Sequence, residues 1–153
     1  MLCAAARPTR LTAPAPAAVA LTRAELAAWG ERFGRAARAP LVVAISGELG
    51  AGKTTLVKAI AHGAGVRQEV TSPTFALVHE YAAPDFAVYH LDLYRLERPE
   101  ELTNLGWDEV VTSRALVLIE WPERAGKRLP REAVRIALEH DPAQPERRLL
   151  RAP

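Results

Sequence analysis

The chain has a single cysteine, Cys3, among its 153 residues. A disulfide framework is therefore excluded, and a thiolate metal site is disfavoured. Excess charge is also scarce: 20 basic and 18 acidic side chains leave a formal net charge of +2. Direct nucleic-acid binding usually shows as a concentrated basic face, and this balance lends it little support. No apolar run approaches the length of a membrane span. The N-K-x-D motif with which GTPases read their base is missing, which disfavours a GTPase without proving a preference for adenine. No internal repeat is visible. What remains is the ordinary composition of a soluble globular protein with one core and one domain, for which a cytoplasmic home is expected.

Against that background one stretch stands out, GELGAGKTT at Gly47–Thr55. It satisfies G-x-x-x-x-G-K-[ST] at Gly47, Gly52, Lys53 and Thr54. The strand-type run LVVAIS precedes it and a helix-type segment, Leu56–Ala64, follows. This is the context that makes the pattern a P-loop. Glycines let the backbone turn its N–H groups toward one point, and the helix N-terminus adds partial positive charge there. The cofactor-binding candidates are Glu48, Leu49, Gly50, Ala51, Gly52, Lys53, Thr54 and Thr55. Lys53 is expected to reach the β- and γ-phosphates, and the Thr54 hydroxyl to ligate Mg²⁺.

The rest of the chain arranges itself around this loop. Residues 1–18 are rich in Ala and Pro, carry Arg7 and Arg10, and precede the first acid, Glu25. That bias fits a transit peptide, but Pro8, Pro14 and Pro16 break any amphipathic helix. A loosely ordered tail is expected over residues 1–18, with residues 19–153 as a single P-loop domain. Val19–Leu21 reads as a short strand. Thr22 and Glu25 form a capping box for a helix to about Arg38, with Leu26, Trp29, Phe33 and Ala37 on its core stripe. The helix after the P-loop is expected to bury Leu56, Ile60 and Ala64, with Gly63 and Gly65 ending it and His62 solvated. Residues 67–74 read as a loop that enters a strand near Phe75–Tyr81. In P-loop proteins this segment often crosses the phosphates as a switch. Thr71, Ser72 and Thr74 supply hydroxyls for a γ-phosphate or Mg²⁺, or else form an ordinary Ser/Thr/Pro turn.

Two later strands carry acids. AVYHLDL at Ala87–Leu93 places Val88, His90 and Asp92 on one face. A carboxylate ending a core strand needs a partner. Asp92 is thus a Mg²⁺ ligand or water-orienting group, or the partner of Arg95. His90 reads as packed or hydrogen-bonded rather than as a base. ALVLIE at Ala115–Glu120 is a Walker B pattern, whose acid lies beside a P-loop and holds Mg²⁺ directly or through water. Trp121 follows, able to stack at the rim of a nucleotide site or to join the core. Between these strands, Glu97–Val111 reads as helical, interrupted at Gly106. Arg124–Arg131 is a basic loop, either solvated or a binding surface. Ala133–His140 alternates as a half-covered strand with Val134, Ile136 and Leu138 inward, and Glu146–Leu150 returns as an edge strand. The fold class expected is α/β: a single P-loop NTPase-type domain, its mostly parallel sheet flanked by helices, with antiparallel strands added on the C-terminal side.

Five segments together resemble the TsaE family, the P-loop ATPases of bacterial tRNA threonylcarbamoyladenosine biosynthesis. They are GELGAGKTT at Gly47–Thr55, TSPTF at Thr71–Phe75, HLDLYRL at His90–Leu96, ELTNLGWDE at Glu101–Glu109 and IEWPER at Ile119–Arg124. They lie in the family's order and spacing. The combination of SPTF, HLDLYRL and EWPE is far more specific than the P-loop alone. The resemblance implies ATP and Mg²⁺ as cofactors and weak hydrolysis by the isolated protein. It also implies docking on the TsaD and TsaB proteins, with tRNA engaged only through that complex and no membrane. By position it makes Lys53, Asp92 and Glu120 the catalytic residues, and Thr54, Asp92 and Glu120 the metal-binding ones. Thr71, Ser72, Pro73, Thr74 and Phe75 become a switch loop, and Trp121 a neighbour of the nucleotide. Two other readings remain open. One is a small-molecule kinase with Arg124, Lys127, Arg128 and Arg131 as a lid. The other is a nucleotide-gated binding protein with negligible hydrolysis.

Overall fold

The computed structural model describes residues 14–73 and 75–153. Most of the expected N-terminal tail (residues 1–13) and Thr74 of the expected switch loop lie outside the described residues. The strands are β1 (Val19–Thr22), β2 (Leu41–Gly47), β3 (Val78–Ala82), β4 (Ala87–Asp92), β5 (Leu116–Glu120), β6 (Val134–His140) and β7 (Arg147–Arg151). The helices are α1 (Arg23–Ala36), α2 (Lys53–Gly63) and α3 (Trp107–Val111), with 3-10 segments at Pro99–Leu105 and Pro122–Arg128.

All seven strands form one sheet in the order β1-β7-β6-β2-β5-β4-β3. Its centre, β6-β2-β5-β4, is parallel. β7 and β1 add antiparallel strands on the C-terminal side, as expected. β3 also pairs antiparallel with β4 at the opposite edge. β7 is not an edge strand, because β1 pairs along its outer side. Central strands covered on both faces read as continuous apolar runs, and Leu116, Val117, Leu118 and Ile119 of β5 are all fully buried. Leu116 and Leu118 join Val43, Ile45, Leu56, Ile60 and Ile136 beneath α1 and α2. Val117 and Ile119 join Leu91, Leu93, Leu102 and Trp107 on the other face. In β6, Ile136 and Leu138 face the α1–α2 core while Arg135 is exposed.

The capping box of α1 forms as the sequence predicts: Glu25 N–H donates to Thr22 Oγ1 at 3.2 Å, and Thr22 N–H donates to Glu25 Oε2 at 2.8 Å. The helix ends at Ala36, slightly before Arg38. Its deepest face differs from the large-residue stripe. Leu26, Gly30 and Gly34 are buried, while Trp29 and Phe33 stack on one another at 5.3 Å, partly exposed against the core. The reason is the close approach of α2. A Cβ on Gly30 would lie 2.7 Å from Ala59 Cβ, and one on Gly34 would run into the Ile60 carbonyl. In α2, Leu56 and Ile60 are buried as expected, but Ala64 is the C-cap and only partly buried. His62 is exposed and lies 3.4 Å from Glu31. The strand expected from Phe75 begins only at Val78. The helical stretch before β5 divides at Gly106, whose φ of +69° suits glycine.

Candidate nucleotide site

The P-loop leaves the end of β2 and enters α2 at Lys53. Gly50 and Gly52 have φ of +77° and +100°, a region that L side chains rarely enter, so the turn depends on them. β5 and β4 lie next to β2 in turn, and Asp92 sits opposite Glu120 in the parallel register. Both strand-ending acids thus reach the same sheet end as the P-loop. Ligands of open α/β sheets gather there, beyond the carboxyl ends of the strands.

Glu120 is 2% exposed. Its Oε1 accepts a hydrogen bond from Thr54 Oγ1 at 2.9 Å, and its Oε2 lies 2.6 Å from His90 Nε2. Asp92 Oδ1 accepts from the Tyr94 N–H at 3.0 Å, and Oδ2 accepts from Ser72 Oγ at 3.2 Å. Arg95, the alternative partner for Asp92, instead lies 5.0 Å from the Phe75 ring centre. Lys53 is buried, and its Nζ donates to the carbonyls of Gly47 (2.6 Å) and Glu48 (2.7 Å). The same ammonium sits 4.1 Å from the Trp121 ring centre. Burial pushes the Lys53 pKa down, and the charges of Glu120, Glu123 and Asp92 partly oppose that shift. Trp121 has φ +57° and ψ +50°, a left-handed conformation that is uncommon for a non-glycine residue and costs strain. Its ring also lies 4.9 Å from that of Tyr94.

These groups wall a cavity of about 550 Å³. Leu49, Gly50, Gly52, Lys53, Thr54, Thr55, Ser72, Asp92, Glu120 and Trp121 all line it. Glu48 and Ala51 do not: Glu48 lends its carbonyl to Lys53, and Ala51 is fully buried. Among the described residues of the expected switch loop, Ser72 alone lines the cavity. Thr71 is held by Tyr81, whose hydroxyl accepts from its N–H at 3.0 Å. Pro73 is buried and Phe75 is 88% exposed.

Sequence reasoning missed the opposite wall, made by Arg23 and Leu26 of α1 with Pro145, Glu146 and Arg148 of the β6–β7 hairpin. Arg148 ties that hairpin to the P-loop through a 3.4 Å bond to the Gly50 carbonyl. No local pattern announces this wall, because it exists only once β1 and β7 pair and carry both segments to the P-loop. The basic loop lies at the surface, with Arg124, Lys127 and Arg131 exposed; Arg124 donates to the Leu96 carbonyl, and Arg128 bonds Thr103 and Asp108.

The fold is shared with a known protein. The solved structure of Bacillus subtilis YdiB superposes with a TM-score of 0.72 at 27% identity, covering 88% of this chain and 85% of that one. A Treponema pallidum protein named tRNA threonylcarbamoyladenosine biosynthesis protein TsaE is 40% identical over 114 residues, covering 74% of this chain and 84% of that protein. A Bacillus subtilis protein of the same name is 39% identical over 97 residues, and the match spans 63% of this chain and 60% of that relative. The family described as "Threonylcarbamoyl adenosine biosynthesis protein TsaE" matches residues 21–149, nearly the whole of the described chain, and the chain belongs to the TsaE family.

Proposed function

We propose that this chain binds ATP with Mg²⁺ and hydrolyses it slowly, in support of tRNA threonylcarbamoyladenosine biosynthesis in the cytoplasm, together with TsaD and TsaB. The observation that carries the chemistry is the meeting of Thr54 with Glu120 at 2.9 Å, with Asp92 opposite Glu120 in the sheet. A P-loop hydroxyl and a strand-ending acid in contact are the usual holders of the metal in P-loop NTPases. The biological setting rests on the relatives' printed names and on the family match.

The donor set fits Mg²⁺. Thr54, Asp92 and Glu120 offer oxygen ligands, and Mg²⁺ is usually held by one or two carboxylates plus phosphate oxygens rather than by a full protein cage. The described residues contain no cluster of three or more His, Cys, Asp or Glu placed to hold a metal by themselves. When bound, Mg²⁺ would neutralise charge on the β- and γ-phosphate oxygens. Lys53 leaves its two carbonyls for the same phosphates, and Glu120 or Asp92 orients the attacking water. The nucleoside would lie toward the residues of α1 and the β6–β7 hairpin that line the same cavity. Trp121 covers the lysine from the side of the rim. No glutamine is among the described residues that line the cavity; slow intrinsic turnover, with a partner completing the site, is part of the proposal. A kinase lid is less well supported, since Arg124 and Arg128 are engaged in bonds within the chain.

The test is hydrolysis of ATP and GTP by the pure protein, with and without TsaD–TsaB, beside Glu120→Ala. ATP turnover that rises with the partners and collapses in the variant is expected. Indifference to the partners, with phosphoryl transfer to an added small acceptor, would overturn the reading in favour of a kinase.

A further inference from the structure

We infer that His90 is the positioning residue for Glu120: its ring locks the carboxylate so that the other oxygen faces Thr54 and the metal position. This rests on the nucleotide-site reading above and extends it to a residue that touches neither nucleotide nor metal.

Three observations carry it. First, the ring is fully buried, and Nε2 lies 2.6 Å from Glu120 Oε2. A carboxylate only accepts, so the Nε2–H donates. Second, Glu120 Oε1 is thereby turned to Thr54, 2.9 Å away. The two oxygens have divided tasks, and His90 decides which one faces the P-loop. Third, His90 Nδ1 is buried and has no hydrogen-bond partner among the described residues. A side chain kept only for packing would fill this space better as leucine, without a buried polar atom lacking a partner. The bond to Glu120 is the ring's one polar contact there, and it accounts for the histidine. Strand alternation puts His90 two residues before Asp92 on the same side of β4, so one strand delivers both the metal-side acid and the brace for the other acid.

Groups that orient a metal-holding side chain from behind typically matter about ten- to hundredfold in metal affinity or activity. The experiment compares wild type, His90→Leu and His90→Gln, the last able to restore an N–H near the Nε2 position. A fluorescent ATP analogue is titrated with Mg²⁺ and again in EDTA, thermal melting reports folding, and ATP hydrolysis is followed for kcat and KM. His90→Leu is expected to weaken the Mg²⁺ dependence of binding by about ten- to hundredfold and to lower kcat. Binding in EDTA should stay at the wild-type level, and His90→Gln should regain most of the loss. A wild-type Mg²⁺ response in His90→Leu would overturn the inference and leave the nucleotide-site reading standing. Equal losses in both variants would also overturn it, by making ring shape the requirement. Absence of any Mg²⁺-dependent binding in wild type would overturn both readings. Should His90→Leu fail to fold, the imidazole N–H resonance of the nucleotide-free wild type serves instead. Glu120→Gln is expected to shift it, and an unmoved resonance overturns the inference.

Discussion

Thr54 and Glu120 stand 66 residues apart in the chain and meet through a 2.9 Å hydrogen bond. Thr54 lies in the first turn of α2 and Glu120 closes β5, and the parallel pairing of β2 with β5 brings the two together. The bond gives the protein a preformed contact at the place where the proposal above puts the metal. Glu120→Gln keeps the volume and removes the charge. Hydrolysis should fall about a hundredfold or more, within the usual weight of a group that handles the attacking water. Nucleotide binding should survive. Single-turnover hydrolysis beside equilibrium binding separates the two effects.

Lys53 leads to a pH prediction. Burial holds its pKa below the ordinary 10.5. Between the lowered folded value and 10.5 the unfolded chain carries the extra proton, so stability of the nucleotide-free protein rises with pH through that window. The affinity for ATP moves the other way, because a neutral amine no longer meets the phosphates. Lys53→Met should abolish tight ATP binding without lowering the melting temperature of the free protein. Paired binding and melting curves across alkaline pH check both signs.

The contact between α1 and α2 is sensitive to a single methyl group. At Gly34 an added Cβ meets the Ile60 carbonyl, which is backbone and cannot rotate away. At Gly30 it meets Ala59 Cβ at 2.7 Å and Leu56 Cδ1 at 3.0 Å. Gly30→Ala should destabilise by about 1–3 kcal/mol through overpacking, less the roughly 1 kcal/mol that alanine gains in a helix. Gly34→Ala should be clearly worse. Urea midpoints of the two variants decide it.

The start of α1 is the acid-sensitive end. The Thr22 backbone N–H is the first cause that holds the Glu25 pKa below 4.5. A depressed folded value means the contribution is present above 4.5 and lost as pH falls through the folded value. Thr22→Ala should cost about 1 kcal/mol at neutral pH. Melting curves at neutral pH and near pH 3 should show the difference between Glu25→Ala and wild type shrinking in acid.

Local chemistry was legible wherever the chain itself closes the contact. The capping box spans four residues, and the P-loop needs only its glycines, its lysine and the helix that follows. The apolar run of β5 and the alternation of β6 record burial on two faces and on one. These were sufficient for an α/β domain with a parallel centre and added antiparallel strands. The pairing of Asp92 with Glu120 across β4 and β5 was also approachable, because each acid ends an apolar strand.

Tertiary structure alone decided the rest. Nothing near Gly30 or Gly34 announces that α2 will press against them, and a large-residue stripe is the stronger local pattern. β1 covers β7 through hydrogen bonds between backbones, which carry no side-chain identity. The wall of Arg23, Leu26, Glu146 and Arg148 forms only after that pairing. His90 is the plainest case. By itself it is one histidine in a strand, and its bond to Glu120 exists because the sheet sets two buried strands side by side. Sequence by itself determined the glycine-rich turn between β2 and α2, the strand-ending acids and the layers of the fold, because those follow from nearest-neighbour chemistry and periodicity. Which distant atoms share a hydrogen bond depends on register and helix approach, and only the packed molecule specifies those.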